Sequence, residues 1–281
     1  MDKNGHVAFS ISPETAMGWA MRLFVIGLIV SGIITFGFIK PDLSQDPILK
    51  VYGAVNACIT FDYNPATEFM AVMWVFACAL VMVHAALFVQ RLRVYYGTDS
   101  SICKAGYMIG PLYVVMCVSM TISFIVHPSE SVVGHTIPYQ ICIVGTCIWW
   151  IFNAVVIQTW PNELARTVKI YWWVATVVFV ILTAAKIYVQ DVLLAADRYS
   201  WDDNKINTFL PSWFPKKALD PLWMLLFVFY RYWHPLSDKS ILIQFSNCNA
   251  PPEVGAASIC CVRIDTDGEM TYGEARGMVL D

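Results

Sequence analysis

SVVGHTIPYQICIVGTCIWWIFNAVVIQTW, residues 131–160, contains no aspartate, glutamate, lysine or arginine. A helix needs about 20 apolar residues to cross a hydrocarbon core of roughly 30 Å, and this run supplies them. Yet His135 sits at its mouth, Asn153 in its body and Gln158-Thr159 near its end. Such polar groups either do chemistry, line a path across a membrane, or hold neighbouring helices together.

The rest of the chain repeats the pattern. The 281 residues are 58% hydrophobic and 14% charged, with mean hydropathy +0.57, where a soluble domain carries about 25% charged residues. The few charges cluster between apolar runs. Spans are expected at about 17–39, 66–90, 105–126, 138–160 and 169–190. A sixth, 220–236, opens with "DPLWMLLFVFYRYW" and is marginal in length. Ser12-Pro13-Glu14, Asn64-Pro65 and Asp220-Pro221 precede three of these runs as helix-start signals. Pro111 falls in the third, where it favours a kink. The fold class is therefore an all-α polytopic membrane protein, a bundle of six transmembrane helices, or five if 220–236 does not cross.

Residues 1–236 form the bundle and 237–281 a polar tail. Loop charges give an orientation. Arg91, Arg93 and Lys104 follow the second run, and Arg166 and Lys169 follow the fourth. These place the N-terminus and the loops 91–104 and 161–169 in the cytosol. With six spans the tail is cytosolic too, although Lys216 and Lys217 then lie outside. The tail pattern at 257–276 predicts a β-hairpin turning at Asp267-Gly268. Asp265, Asp267 and Glu269 lack the glycine position and ligand series of a calcium loop, and Cys260-Cys261 is a candidate for acylation. Tryptophans and tyrosines near the span ends (Trp19, Tyr107, Tyr139, Trp160, Tyr171, Trp172, Trp173, Tyr230 and Trp233) read as interfacial belts.

An ionisable group inside an apolar span is a functional candidate by default. Glu68 opens the second span, near the interface. His84 lies towards the cytosolic end of the same span. Lys186 lies near the outer end of the fifth, where snorkelling to the headgroups is the favoured reading. His135 is expected in the loop at the outer mouth of the fourth span, with His127 and Glu130 nearby. That trio could bind a metal, respond to pH or brace the loop, and bracing is favoured. Asn153 and Gln158 are expected to hydrogen-bond neighbouring helices. Haem is disfavoured because His84 and His135 lie towards opposite faces. Four of the nine cysteines, Cys78, Cys117, Cys142 and Cys147, lie in apolar runs as small buried hydrophobes. No C-x-x-C, zinc spacing, HExxH, P-loop or credible nucleophile triad occurs. Catalytic, cofactor and metal sites are therefore not expected. Net charge is −3 without a long basic tract, so nucleic acid is not an expected partner.

Pro65-x-x-Glu68-Phe69, "KAGYMIG" at 104–110, His135 and Gln158-Thr159, in that order and spacing, resemble the DRAM-type family, the damage-regulated autophagy modulators and their tentonin-like relatives. The resemblance covers roughly 64–160. The segment "KPDLSQDP" after the first span departs from the family's usual Pro-Tyr-Ile-Ser run. The resemblance implies six spans with both ends cytosolic and a lysosomal or plasma-membrane location. It implies a non-enzymatic role in autophagy, phosphoinositide-kinase recruitment or mechanosensitive current.

The expected function is thus a non-enzymatic multi-pass regulator or scaffold. Its partners would be the lipid bilayer and other membrane or cytosolic proteins, met through the loops and tail. Two alternatives stand beside it. One is an accessory subunit of a large respiratory or photosynthetic assembly, in a mitochondrial or plastid membrane. The other is a channel or transporter using Glu68, His84 or Lys186.

Overall fold

The computed structural model describes residues 7–53, 57–160, 164–215, 218–233, 241–245 and 262–263. Helix α1, Pro13–Gly32, starts where Ser12 accepts the backbone N–H of Thr15 at 3.1 Å with proline at the first helical position. It runs on as a π-helical segment, Ile33–Ile39, which stops at Lys40 in the left-handed conformation. A short α2, Pro47–Tyr52, capped by Asp46, and a 3₁₀ turn, Ala57–Phe61, lead into α3, Ala66–Tyr96. Then come α4, Ser101–Ser119, with Pro111 inside it, and α5, Thr121–Ile125. Next follow α6, Val132–Gln158, α7, Arg166–Arg198, α8, Asp203–Phe209, and α9, Leu219–Trp233.

Five of these segments are long and apolar enough to cross a membrane: 13–39, 66–96, 101–125, 132–158 and 166–198. Their outward faces are as apolar as their inward ones. Ile29, Phe76, Val115 and Ile181 are all exposed, an arrangement that only a lipid surround tolerates. The chain is an integral, multi-pass membrane protein.

Inside the bundle, helices approach through small residues and aromatic stacks. A Cβ added to Gly145 would lie 2.6 Å from Met116 Cβ, so α6 touches α4 there backbone to side-chain root. Trp149 of α6 stacks on Tyr113 of α4 at 4.9 Å between centroids. On the other side of α6, Trp150 stacks on Trp172 and Phe179 of α7, and Phe179 in turn meets Trp223 of α9.

The structure departs from the sequence reading in these respects. Helix α6 starts at Val132, six residues before the expected 138, because Ser131 caps it by accepting the Gly134 N–H at 2.9 Å. Helix α7 runs past the expected 190 to Arg198. At 1.5 Å per residue it is about 50 Å long, so it projects beyond a ~30 Å core. Its projecting end is not bare. Val189, Val192 and Leu193 pack with Ile48 and Tyr52 of α2, Ile59, Leu210 and Leu219 as a second apolar cluster. Segments that read as loops therefore form a folded cap on one end of the bundle. Finally, Trp160 and Trp172 are buried against Tyr95 and Trp150. These two aromatics serve helix packing rather than an interfacial belt, whereas Trp19, Tyr107 and Tyr171 do face outward.

A small sheet closes the other end. Strand β1, Val7–Ile11, pairs antiparallel with β2, Ile241–Phe245, with Val7 opposite Phe245 and Ile11 opposite Ile241. Strand β3, Val262–Arg263, pairs with β2 through Leu242–Arg263 and Ile243–Val262. The expected partner of 262–263 was the other arm of the 257–276 hairpin. That arm, the turn at Asp267-Gly268, the Asp265–Glu269 series and Cys260-Cys261 lie outside the described residues.

The β1–β2 pairing fixes the parity of the bundle. Five crossings carry the chain from Ser12 to the cap. The segment after α9 is hydrogen-bonded to the segment before α1, as a return of the chain to the starting end along α9 requires. Its 15 residues rise only about 22 Å, and its first turn is already sunk beside Lys186. The expected outcome is that protease-sensitive tags at Met1 and Asp281 are cleaved from the same face of sealed vesicles, and a tag inserted at Ser129 from the opposite face. Cleavage of the two terminal tags from opposite faces would contradict the six-helix path.

Candidate functional site: buried polar clusters at the two ends of the bundle

Two groups of polar side chains lie inside the helices, one near each end. At the β1 end, the first turn of α1 meets the second half of α3. Glu14 and Arg91 are both fully buried and form a bidentate ion pair, Nη1 to Oε2 at 3.1 Å and Nη2 to Oε1. The planar guanidinium matches the carboxylate edge to edge. Two turns earlier on α3, His84 Nδ1 lies 2.8 Å from the Pro13 carbonyl, and its Nε2 accepts the Trp149 indole N–H at 3.1 Å. The indole can only donate and the carbonyl can only accept. The imidazole is therefore the neutral Nδ1–H tautomer, with both nitrogens satisfied. His84 thus ties three helices, α3, α1 and α6.

At the cap end, Lys186 of α7 is buried. It pairs with Asp220 of α9, donates to Tyr139 Oη of α6, and sits 4.8 Å from the ring centroids of both Tyr139 and Trp223. This corrects the snorkelling reading. A counter-charge arrives from the first turn of α9, so the ammonium has no reason to climb to the headgroups. Asp220 read in the sequence only as a helix-start residue, and its partner lies 34 positions away. Trp223 Nε1 donates to Thr183 Oγ1 at 2.9 Å, a second tie between α9 and α7.

Beside it lies a second buried pair. Asp62, in the turn before α3, and His135, in the first turn of α6, are 3% and 2% exposed. His135 Nε2 is 3.6 Å from Asp62 Oδ1, beyond hydrogen-bond reach. Its Nδ1 lies 3.1 Å from the Val126 carbonyl. Burial, and then the charge of Asp46, push the Asp62 carboxyl up to about 8. Tyr63 Oη donates to Asp46 Oδ2 at 2.7 Å, and burial together with that bond raises the Tyr63 hydroxyl. Tyr52 Oη and Thr136 Oγ1 share a bond at 3.1 Å. His135 is therefore a helix residue inside the protein, not a loop residue at its mouth. The Ser131 cap draws it there.

The remaining candidates are scattered. Glu68 is in the first turn of α3 and exposed. Asn153 is fully buried, and its Nδ2 donates to Trp149 O of its own helix at 2.8 Å. Gln158 Nε2 donates to Lys169 O, and Lys169 Nζ to Gln158 O, both at 3.1 Å, which stitches α6 to α7. His127 Nε2 lies 2.6 Å from the Asp62 carbonyl and its Nδ1 2.6 Å from Ser129 Oγ, while Glu130 is exposed. The trio His127, Glu130 and His135 is thus not one site. Among the described residues no group of three or more His, Cys, Asp or Glu is placed to hold a metal ion. Sequence reasoning missed Glu14, Arg91, Asp62 and Asp220. All four sit at helix ends, where a charge reads as flanking a span.

No protein-family model, curated protein or solved structure matches the chain.

Removing one partner of a buried ion pair strands the other. Lys186→Met is expected to destabilise the protein in detergent by about 2–4 kcal/mol, less than a fully buried pair because the Asp220 side chain is 28% exposed. Lys186→Met with Asp220→Leu should recover most of that loss. Reversible unfolding in mixed micelles measures both, and a double variant that loses the sum of the separate Lys186→Met and Asp220→Leu costs would show that the two residues act independently.

Proposed function

We propose that the chain is a non-enzymatic, multi-pass membrane regulator or scaffold that meets its partners at the two ends of the bundle. One observation carries this reading. Glu14, Arg91, His84 and Lys186 are the side chains that transport or catalysis would draw on. Each is held by a partner on a neighbouring helix, so its charge and hydrogen-bonding capacity goes into fixing helices. The DRAM-type resemblance supports the same reading, and with it a cytosolic placement of the β1–β2–β3 end and a lysosomal or plasma membrane. The loop charges at 91–104 and 166–169 favour that orientation independently.

A second reading, an accessory subunit of a larger membrane assembly, is favoured by a separate observation. The cap exposes Tyr199, Phe209 and Trp213, the last at 78%, and aromatic side chains are enriched where proteins meet.

Purification in a mild detergent separates these readings. A regulator is expected to run as a small oligomer with substoichiometric partners, and a subunit to comigrate with a much larger complex. Reconstitution into liposomes is the control. The proposal expects no ion flux above protein-free vesicles. A flux abolished by Glu68→Gln, His84→Gln or Lys186→Met would refute it in favour of a channel or transporter.

A further inference from the structure

The ion pairs Glu14–Arg91 and Lys186–Asp220 are complete, but the Asp62–His135 pair is not. Both Asp62 oxygens and His135 Nε2 are buried and have no hydrogen-bond partner among the described residues. They face each other across 3.6 Å. An ionised carboxylate in such a place is far costlier than a neutral one, and an unmet imidazole nitrogen adds to the cost. One species joins the two groups, a single proton between Oδ1 and Nε2, and it leaves Oδ2 as the oxygen of a neutral carboxyl, far cheaper to bury than a carboxylate.

We propose that Asp62 and His135 form a proton-binding site that latches the turn before α3 to the first turn of α6. One proton is taken from the aqueous phase at the cap face. The proton forms an O–H bond on the Asp62 carboxylate, that hydroxyl donates to His135 Nε2, no bond of the protein breaks, and the gap closes to hydrogen-bond reach. A metal ion is the poorer occupant, because the pair offers one imidazole and one carboxylate where such ions take four or more ligands.

Charged and polar groups from the neighbouring elements surround the buried pair. Asp46 faces Asp62 from the turn before α2, its own carboxylate holding the Leu49 N–H and Tyr63 Oη. His127 holds the Asp62 carbonyl from the loop after α5. Cys58, on the 3₁₀ turn, lies within electrostatic reach of Asp62, Asp46, Lys186 and Asp220. Tyr52 reaches the α6 turn through Thr136, and Glu130 is exposed on the loop that follows His127. Ser123 Oγ anchors the other side of that turn by donating to His135 O at 2.8 Å.

The sign of the pH effect follows. The folded carboxyl holds its proton up to about 8, whereas a solvent-exposed aspartic acid loses it near ~3.9. The latched state is therefore favoured in full below that lower value. It weakens as pH rises, and the contribution is gone above about 8.

The test uses the full chain in micelles. Hydrogen exchange at 57–65 and 126–136, corrected for the chemical rate, is expected to quicken by up to about tenfold per pH unit between pH 5 and 8 and then flatten. In Asp62→Asn, an uncharged isostere, that slope should vanish. Difference infrared spectra of the unmodified protein should show a protonated-carboxyl stretch that disappears over the same interval and is absent from the variant. If Asp62→Asn does not accumulate, His135→Gln decides, since it should displace the interval over which the stretch is lost. The proposal is overturned by equal slopes in the unmodified and Asp62→Asn proteins, by a carboxyl stretch that ignores pH, or by an unmoved interval in His135→Gln. It is also overturned if added Zn²⁺ restores slow exchange above pH 8, because the site would then hold a metal.

Discussion

The Glu14–Arg91 pair is the constraint on which the rest of the bundle depends. Both side chains are fully buried in a structure whose outer surface is apolar. A charge there is tolerable only with its partner in place. The pair therefore leaves α1 and α3 one way to pack, with the first turn of α1 beside the last turns of α3. His84 repeats the instruction two turns away by bonding the Pro13 carbonyl, and through Trp149 it extends the instruction to α6. In lipid, burying more apolar surface does little to choose among helix registers, because the tails are as apolar as the helices. Hydrogen bonds and ion pairs supply that choice.

The cap end uses the same device with a different outcome. Lys186 and Asp220 hold α9 against α7, while Tyr139 brings α6 to the same ammonium. This matters because α9 has only 15 residues, and a helix that short gains little from lipid burial alone. Its place is set by Lys186, by the Trp223–Thr183 bond and by the aromatic stack through Phe179. The β1–β2 pairing then secures the far end. Asp62 and His135 stand next to these complete contacts as an incomplete one, and a bundle otherwise closed by fixed charges would there be closed by a titratable one.

The membrane class and the five long helices were legible because hydrocarbon thickness sets a length that any apolar run must meet. The Ser12 cap of α1 was legible for the same local reason, since its signals are adjacent in sequence. The partnerships were not. Glu14 and Arg91 are 77 residues apart, Asp62 and His135 73, Lys186 and Asp220 34. Nothing local distinguishes a charge at a span end that faces water from one that turns inward. Lys186 read as snorkelling because it lies near the outer end of its span, and His135 as a loop residue because the fourth span was expected to start at 138, whereas the helix begins at Val132 behind the Ser131 cap. Strand β1 escaped the reading because its partner lies more than 200 residues on, at Ile241–Phe245.

The central claim is that the buried ion pairs fix helices to one another. A double-mutant cycle on Glu14→Leu and Arg91→Met, followed by reversible unfolding in mixed micelles, tests it most directly. The account predicts that each single change costs about 3–5 kcal/mol, and that the double variant lies far closer to the unmodified protein than the sum of the two. Additive losses, or single variants as stable as the unmodified protein, would contradict it.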